Sequence, residues 1–241
     1  MGHNLIQQRR GKGTIRFRSP SFRFVGRVKY RKYDEQEKNG VINGKIIDLV
    51  NCPGHSAPLM KVKYDNGEEV LMIAPENVIV NQPLFTGASA ENKVGNVLPL
   101  KNISKDSNIY CLEIKPGDGG KLVRTPGGYA RIVSSSIDSV SVRLPSGKIK
   151  EFSPQCRATI GIIAGSGKQD KPFVKAGNRF YAKKAKGKMY PRVSPVKMNP
   201  IDHPFGCGRA KNMGRSAIPR RGAPPGARVG LISARRTGRK R

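Results

Sequence analysis

The sequence has little negative charge, no tryptophan and no long apolar run. Only 16 of its 241 residues are Asp or Glu, whereas 46 are Lys or Arg, so the formal charge is +30. Self-repulsion of this size opposes compaction unless a polyanion neutralises it, which predicts nucleic acid or an anionic membrane as the partner. No stretch reaches the roughly 18–20 apolar residues that span a bilayer. Residues 1–10 lack the apolar run of a signal peptide, and neither chain end has the basic amphipathic helix of a membrane-surface protein.

The sequence also lacks the residue patterns of metal and catalytic sites. Its four cysteines stand at 52, 111, 156 and 207 without a CxxC pair, which argues against a zinc ribbon and a dense disulfide framework. Residues 164–169 resemble a phosphate-binding loop, but Ile162 stands where that motif needs Gly and Gln169 where it needs Ser or Thr. We therefore expect no cofactor, no protein-held metal and no enzymatic activity, with reduced thiols in an intracellular protein.

Positive charge is concentrated at the two ends of the chain. Residues 1–32 hold ten basic residues and no acid, and residues 166–241 hold twenty-one basic residues and two acids. Residues 33–90 are net acidic, and residues 91–165 are only mildly basic. Prolines recur through the last 76 residues, so this part should be mostly disordered alone in water and become ordered against folded RNA.

The middle of the chain has the pattern of short β-strands. Glycine and proline make up 46 residues, which disfavours a helical bundle. Asp65-Asn66-Gly67 predicts a hairpin turn, and residues 140–144 alternate apolar and polar side chains as a half-buried strand does. Small barrels fit this spacing, with a boundary near residues 85–92. Strands are predicted at 41–50, with an interruption at Asn43-Gly44, and at 59–64, 69–73, 94–98, 109–114, 122–124, 129–133, 140–144, 148–152 and 159–164.

The basic ends have the composition of segments that bind irregular RNA. Between residues 16 and 33, arginines and lysines alternate with Phe and Tyr, so guanidinium groups can bind phosphates while rings stack on unpaired bases. Each ring has an alternative role, which is to pack against a barrel. The strongest candidates for RNA contact in the N-terminal arm are Arg9, Arg10, Arg16, Arg18 and Arg23. The candidates in the C-terminal part are Lys168, Lys171, Lys175, Arg179, Arg209, Arg235 and Arg236.

Several long motifs resemble the universal large-subunit ribosomal protein two family. They are Pro116–Leu122 (PGDGGKL), Arg157–Gly161 (RATIG), Lys171–Gly177 (KPFVKAG), Met198–Gly206 (MNPIDHPFG) and Val229–Arg239 (VGLISARRTGR). The motifs occur in the family's order along essentially the whole chain. The run at 18–21 and the short C-terminus are similar to the archaeal form. Departures from the family pattern stand at Tyr190, Ser194, Pro195, Lys197, Cys207 and 209–215, all near His203.

The resemblance implies a mainly β fold with an OB-like barrel followed by an SH3-like barrel and long irregular basic extensions. It divides the chain into a basic RNA-binding arm (1–34), an OB-like barrel (35–87), an SH3-like barrel (90–190) and an RNA-penetrating tail (191–241). It implies a non-enzymatic constituent of the large ribosomal subunit in the cytoplasm, which binds large-subunit rRNA, lies near the peptidyl-transferase centre and supports subunit association. The expected partners are this rRNA and other ribosomal proteins, with Mg²⁺ held mainly by RNA. His203 matches a family histidine and is interpreted as contacting RNA or organising its loop.

Two other functions remain open from the residues alone. A DNA-compacting or transcription-associated barrel protein would have a similar charge, but it would bind duplex DNA as well as structured RNA. An enzyme built on Asp202, His203 and Cys207 would need a substrate and an activating base, and the sequence shows neither. A competition assay between duplex DNA and structured RNA distinguishes the DNA-binding protein from the ribosomal protein. A turnover assay on the purified protein tests the enzyme.

Overall fold

The structure is a computed structural model that describes residues 3–207 and 212–237. The described chain divides into two compact units. One unit is Ser21–Pro172, and the other contains residues 3–20 together with the described residues from Phe173 onward. None of the described helices is long and apolar enough to cross a membrane.

Strands are more numerous than helices, and each element is short. The helices are α1 (Ile6–Gly11), α2 (Glu35–Asn39) and α3 (Ala176–Lys184). Short 3₁₀ turns cover Ile15–Phe17, Ser21–Arg23, Leu100–Asn102, Ser166–Lys168 and Pro195–Lys197. The strands are β1 (Val41–Val50), β2 (Leu59–Tyr64), β3 (Glu69–Ile73), β4 (Pro83–Gly87), β5 (Val97–Pro99), β6 (Asn108–Tyr110), β7 (Ala130–Ser135), β8 (Val140–Arg143), β9 (Ile149–Phe152) and β10 (Arg157–Ile160).

All ten strands belong to the unit Ser21–Pro172 and form one continuous sheet. Its order is β3-β2-β1-β4-β5-β10-β6-β7-β8-β9. Every pairing is antiparallel except β4 with β5, which join in parallel at Thr86 and Val97. The sheet therefore contains a group of β1–β4 and a group of β5–β10. One apolar cluster centres on the first group, with Val97 and Tyr110 also belonging to it, and a second cluster lies in the second group. The mainly β class is confirmed, and the two groups fit an OB-like barrel followed by an SH3-like barrel.

Alternating side chains and tight turns explain the strands that the sequence predicts well. In β1, Ile42, Gly44 and Ile46 are buried, whereas Asn43 and Lys45 between them are exposed. The β2–β3 turn closes with a hydrogen bond from Gly67 N to Tyr64 O, and Gly67 has φ +85, which favours glycine. The predicted bounds of β1, β2 and β3 are confirmed, but the predicted interruption at Asn43-Gly44 is wrong, because β1 continues through both residues and pairs there with β4.

Left-handed backbone residues shorten four predicted strands. The predicted strand 109–114 ends at Tyr110 because Cys111 has φ +52, and the predicted strand 122–124 is reduced to one bridge because Val123 has φ +53. Such residues interrupt an extended chain. Gly95 at φ +97 delays the start of β5 to Val97, and Gly161 at φ +121 ends β10.

The predicted boundary at 85–92 begins inside a strand. Residues 86–89 lack bulky apolar side chains, yet Thr86 is 1% exposed and pairs with both β1 and β5. Its hydroxyl lies 3.1 Å from Tyr64 Oη. This buried hydrogen bond lets a polar side chain occupy an interior position of the strand, so the lack of apolar side chains does not mark a domain boundary there. Residues 21–34 fall in the same unit as the barrels, and residues 173–190, which include α3, fall in the other unit.

The other unit contains mostly turns and two helices. Leu5, Phe205 and Val229 form its buried apolar cluster, so the two ends of the chain meet there. Backbone His3 N donates to Ile201 O at 2.9 Å, and Gln7 Nε2 donates to Arg228 O at 2.7 Å. No residue of α3 is buried. This small core orders residues that the sequence alone describes as an arm and a tail.

Candidate nucleic-acid interface

The predicted arginines before residue 20 are exposed and carry unneutralised charge. Arg9 and Arg10 lie in the last turn of α1, where a cation is favourable near the helix C-terminus. Arg10 Cζ lies 5.9 Å from the Phe17 ring centroid. Arg16 and Arg18 are exposed in and after the following 3₁₀ turn. Among the described residues none of these four forms an ion pair with a carboxylate, which leaves them available to phosphates.

Arg23 lies in the unit Ser21–Pro172, beside the most exposed aromatic ring among the described residues. Its Cζ lies 5.4 Å from the ring centroid of Phe22, and Phe22 is 82% exposed. The neighbouring Phe24 packs against the first apolar cluster instead. One ring of this pair therefore offers a face to an unstacked base, and the other anchors the segment to the barrel.

Tyr30 packs against the barrels rather than presenting its ring to RNA. It is 7% exposed, and its hydroxyl lies 2.6 Å from Thr159 Oγ1 in a buried hydrogen bond. Burial raises the pKa of this hydroxyl well above its ordinary value. Of the two roles that the sequence leaves open for each ring, the structure gives Tyr30 the packing role.

Arg31 is buried, although the sequence places it among the basic residues of the arm. It is 4% exposed, and Nη1 donates to Glu37 Oε2 at 3.0 Å while Nε donates to Glu68 Oε2 at 3.1 Å. Asp34 accepts two further bonds from Arg31, and they lower the pKa of the Asp34 carboxyl. Arg31 is therefore a structural cation and not an RNA contact.

A second buried arginine extends this network. Arg157 Nη1 donates to Glu37 Oε1 at 2.8 Å, and Nη2 donates to Glu113 Oε1 at 2.7 Å. Arg157 Nη1 also donates to the backbone oxygen of Arg31 at 3.1 Å. The two carboxylates hold the pKa of Arg157 above its ordinary value despite burial. The network joins the residues before β1 to strand β10.

The loop 116–121 binds the Glu113 carboxylate. Gly119 N donates to Glu113 Oε1 at 2.9 Å, and Gly117 N donates to Oε2 at 3.2 Å. Gly119 has φ +83 and Gly120 φ +78, and a side chain on Gly120 would collide with the backbone oxygen of Cys111. The PGDGGK motif is thus explained by its role as a backbone cradle for a buried carboxylate.

The predicted contacts between 168 and 179 are all exposed. Lys168 Nζ donates to Ser56 O at 2.6 Å, so this lysine also fixes a loop of the first barrel. Lys171 and Lys175 make no ion pair within the described part of the chain. Arg179 lies in α3 with Cζ 5.3 Å from the Tyr190 ring centroid. The exposure of these cations is compatible with phosphate binding, and their contact with RNA stays a prediction.

The structure describes two of the last three arginines that the sequence predicts to contact RNA. Arg235 and Arg236 are exposed, and Arg209 lies outside the described residues, as does part of the departure at 209–215.

His203 organises the loop that contains it. Its Nδ1 accepts a hydrogen bond from Phe205 N at 3.0 Å, and the two rings lie 5.1 Å apart. Burial lowers the pKa of His203, which favours the neutral ring. Phe205 in turn belongs to the cluster with Leu5 and Val229. Cys207 is exposed, and within the described residues no hydrogen bond joins its thiol to the His203 ring, so no thiol–imidazole pair is formed there.

The structure holds no cluster of metal ligands within the residues that it describes. Cys52, Cys111 and Cys156 are buried and free. Cys52 Sγ lies 3.2 Å from His55 Nδ1, a pair that the sequence analysis did not identify. Burial raises the pKa of both Cys111 and Cys156 to about 11, which keeps these thiols protonated and unreactive at neutral pH.

Two family descriptions match the chain. "Ribosomal Proteins L2, RNA binding N-terminal domain" covers residues 3–86, and "Ribosomal Proteins L2, C-terminal domain" covers residues 93–222. Among curated proteins, "Large ribosomal subunit protein uL2" of Methanothermobacter thermautotrophicus is 48% identical over 241 residues, all of both chains. The proteins of the same name from Methanosphaera stadtmanae and Methanococcus vannielii are 47% and 50% identical, again over the full length of each chain.

Proposed function

The chain belongs to the ribosomal protein L2 family in its archaeal-like form, and from this premise we propose that it is a structural, rRNA-binding constituent of the large ribosomal subunit. The observation that carries the proposal is the match of an RNA-binding domain and a C-terminal domain that together cover most of the chain. Membership in this family makes the chain a structural protein of the cytoplasmic ribosome and not an enzyme. Its partners are large-subunit rRNA and other ribosomal proteins.

The distribution of charge indicates different roles for the barrels and the basic segments. The carboxylates of the barrel unit neutralise its two buried arginines internally, as Glu37 and Glu113 do for Arg157. The exposed arginines of α1 and the following turn have no such partner in the described chain. Barrels therefore supply a rigid shape, and the basic segments supply the charge that binds phosphate.

The loop 198–206 has a more specific role in the proposed function. The loop 198–206 carries the MNPIDHPFG motif, and its neutral His203 is fixed by Phe205. We propose that this loop braces RNA near the peptidyl-transferase centre and that the protein supports subunit association. Any Mg²⁺ at the interface is expected to be held mainly by RNA oxygens, since such ions keep oxygen ligands.

Sedimentation with ribosomal particles tests the proposal. A tagged full-length chain is expressed in an archaeal host, and large subunits are isolated before and after a high-salt wash. We expect the protein to sediment with the large subunit and to stay bound through the wash. Recovery in free fractions only, or with the small subunit only, contradicts the proposal.

Binding to purified large-subunit rRNA supplies a second measurement. The logarithm of the binding constant is expected to fall with the logarithm of salt concentration, at a slope of about −0.7 to −0.9 per phosphate contact. A competitor duplex DNA of equal phosphate content is expected to compete poorly. Equal competition by DNA would favour a DNA-compacting protein instead.

A further inference from the structure

A cavity of about 340 Å³ opens on the surface of the second barrel. One wall is the segment 127–131, which enters strand β7. The rest of the lining is residues 143–145 and 147, where β8 turns toward β9. The cavity is of the size that holds a small organic ligand, and none of its lining residues is among the RNA contacts predicted from the sequence.

Two arginines on neighbouring strands line this cavity. Arg131 on β7 and Arg143 on β8 are direct partners in the strand register, and both are exposed. Like charges placed directly opposite on neighbouring strands destabilise a sheet. Within residues 3–207 and 212–237 neither guanidinium forms an ion pair, in contrast to buried Arg31 and Arg157. No carboxylate of the described chain therefore neutralises these two positive charges.

The Arg131 guanidinium is held in place for an anion. Its Nε donates to Asn108 Oδ1 at 3.1 Å. In the described chain no acceptor is bonded to its terminal amino groups, nor to the guanidinium of Arg143. A guanidinium fixed through Nε retains the paired donors that match a phosphate.

An aromatic ring lies beside the two arginines. Tyr129 lines the same cavity and is 40% exposed. The Arg131 Cζ atom lies 5.6 Å from its ring centroid, so the ring and the guanidinium form a cation–π pair. A ring of this kind stacks on nucleobases without regard to their identity.

We infer that this cavity binds one unstacked nucleotide of RNA, with a phosphate between Arg131 and Arg143 and the base against Tyr129. The inference rests on the proposed function, since it names an additional contact of a protein that binds rRNA. The ligand belongs to a loop, bulge or single strand, because a regular duplex keeps its bases stacked on each other and offers only backbone here.

Ultraviolet cross-linking of the full-length protein with transcribed large-subunit rRNA tests the inference. After nuclease and protease digestion, mass spectrometry is expected to find a nucleotide adduct on the peptide that contains Tyr129. Tyr129→Phe keeps the ring and is expected to retain the adduct, whereas Tyr129→Ala removes it. Arg131→Gln combined with Arg143→Gln is expected to lower the adduct yield by about 10-fold and to make the salt slope shallower by about 0.7, the value for one phosphate contact on a single strand.

A matched variant separates this site from general loss of charge. Lys101→Gln removes an exposed cation from the same barrel, and we expect the adduct yield at Tyr129 to stay unchanged. Thermal unfolding of every variant shows that the barrel is intact. Adducts on other peptides but none on the Tyr129 peptide would overturn the inference and leave the proposed function standing. An equal yield in the double arginine variant would overturn it too. Absence of any rRNA binding by the unaltered protein would instead contradict the proposed function.

Discussion

Arg157 and Glu113 form a fully buried ion pair, in which Arg157 Nη2 donates to Glu113 Oε1 at 2.7 Å. Each side chain is at most 1% exposed. Glu113 receives further hydrogen bonds from the backbone of Arg157 and from the glycine-rich loop after it. The pair is therefore complete in both charge and hydrogen bonds, which is the condition under which a buried ion pair is tolerated. It also places the family motifs PGDGGK and RATIG in direct contact.

Removing one member of this pair should strongly destabilise the barrel unit. Glu113→Ala leaves the Arg157 guanidinium buried with one carboxylate instead of two and leaves the backbone donors of the loop unpaired. We expect a loss of about 3–5 kcal/mol in the free energy of unfolding. Urea unfolding of the full-length chain, followed by circular dichroism, measures this loss.

The exposed pair of Lys61 and Glu69 supplies the control for that experiment. Lys61 Nζ lies 2.7 Å from Glu69 Oε2, but each side chain is at least 40% exposed. Solvent screens such a pair, so Glu69→Gln should leave the unfolding midpoint almost unchanged. If Glu113→Ala and Glu69→Gln shift the midpoint equally, the buried ion pair contributes no more to stability than the exposed one.

Sequence reasoning predicted the fold best where the signal was local. The turn at Asn66-Gly67 and the bounds of β1 depend on neighbouring residues, and both are predicted correctly. Strand ends were less predictable because Cys111 and Val123 adopt left-handed backbone conformations that their residue types disfavour. Cys111 N donates to Val123 O at 2.9 Å, so the two residues are bonded to each other across a loop that a local pattern does not reveal.

The candidate interface shows the same limit. Charge and composition identified the basic segments, but they did not separate Arg31 from the exposed arginines around it. Burial of Arg31 depends on Glu68, which is 37 positions away, and on the fold that brings them together. The Arg131–Arg143 pair depends on strand register, which a single sequence does not reveal. Family resemblance supplied what local patterns could not, namely the ribosomal role.

His55 should titrate below its ordinary range because its ring is partly desolvated and lies near a cation. Burial is the larger cause of the lowered pKa, and the charge of Arg124 is the second. Arg124→Gln should therefore raise the pKa of His55 but leave it below 6.5. Nuclear magnetic resonance of the imidazole protons across pH 5–8 measures both values, with His55→Gln for assignment.

The same shift fixes the direction of a pH effect on stability. Above about pH 6.5 the ring of His55 is neutral in both the folded and the unfolded chain. Below that value the unfolded chain takes up the proton first, so stability falls as pH falls through the folded pKa. Arg143→Gln removes an equal charge from a residue without contact to His55 and should leave its titration unchanged. A pKa at or above 6.5 in the unaltered protein would contradict this account.

Thiol reactivity should single out one of the four cysteines. Cys52, Cys111 and Cys156 are buried, and Cys207 is exposed. Burial also raises the pKa of Cys111 and Cys156 to about 11, which keeps both thiols protonated at pH 8. We expect Ellman's reagent to label one thiol rapidly in the folded chain and four after denaturation. Cys207→Ser should abolish the rapid phase, and rapid labelling of a second thiol would be evidence against the barrel cores described above.

Phe22 and Phe24 should separate RNA binding from stability, since they stand two positions apart in different surroundings. Phe22 is 82% exposed beside Arg23, whereas Phe24 packs on the first apolar cluster and against Gly54. Phe24→Ala should cost about 1–3 kcal/mol of unfolding free energy, below the range for a fully buried ring. Phe22→Ala should leave that energy unchanged and weaken binding to large-subunit rRNA by about 5-fold or more, as expected for the loss of one stacked base.

The contrast between these two variants gives the experiment its discriminating power, because both remove the same ring from the same segment. Phe22→Tyr keeps a stacking face and should restore binding, while a general loss of apolar surface would not be restored in this way. Unfolding is measured without RNA, and binding at a fixed salt concentration, so that charge effects stay equal. If Phe22→Ala binds rRNA as tightly as the unaltered chain, the exposed ring has no stacking partner and the basic residues around it act through phosphate alone.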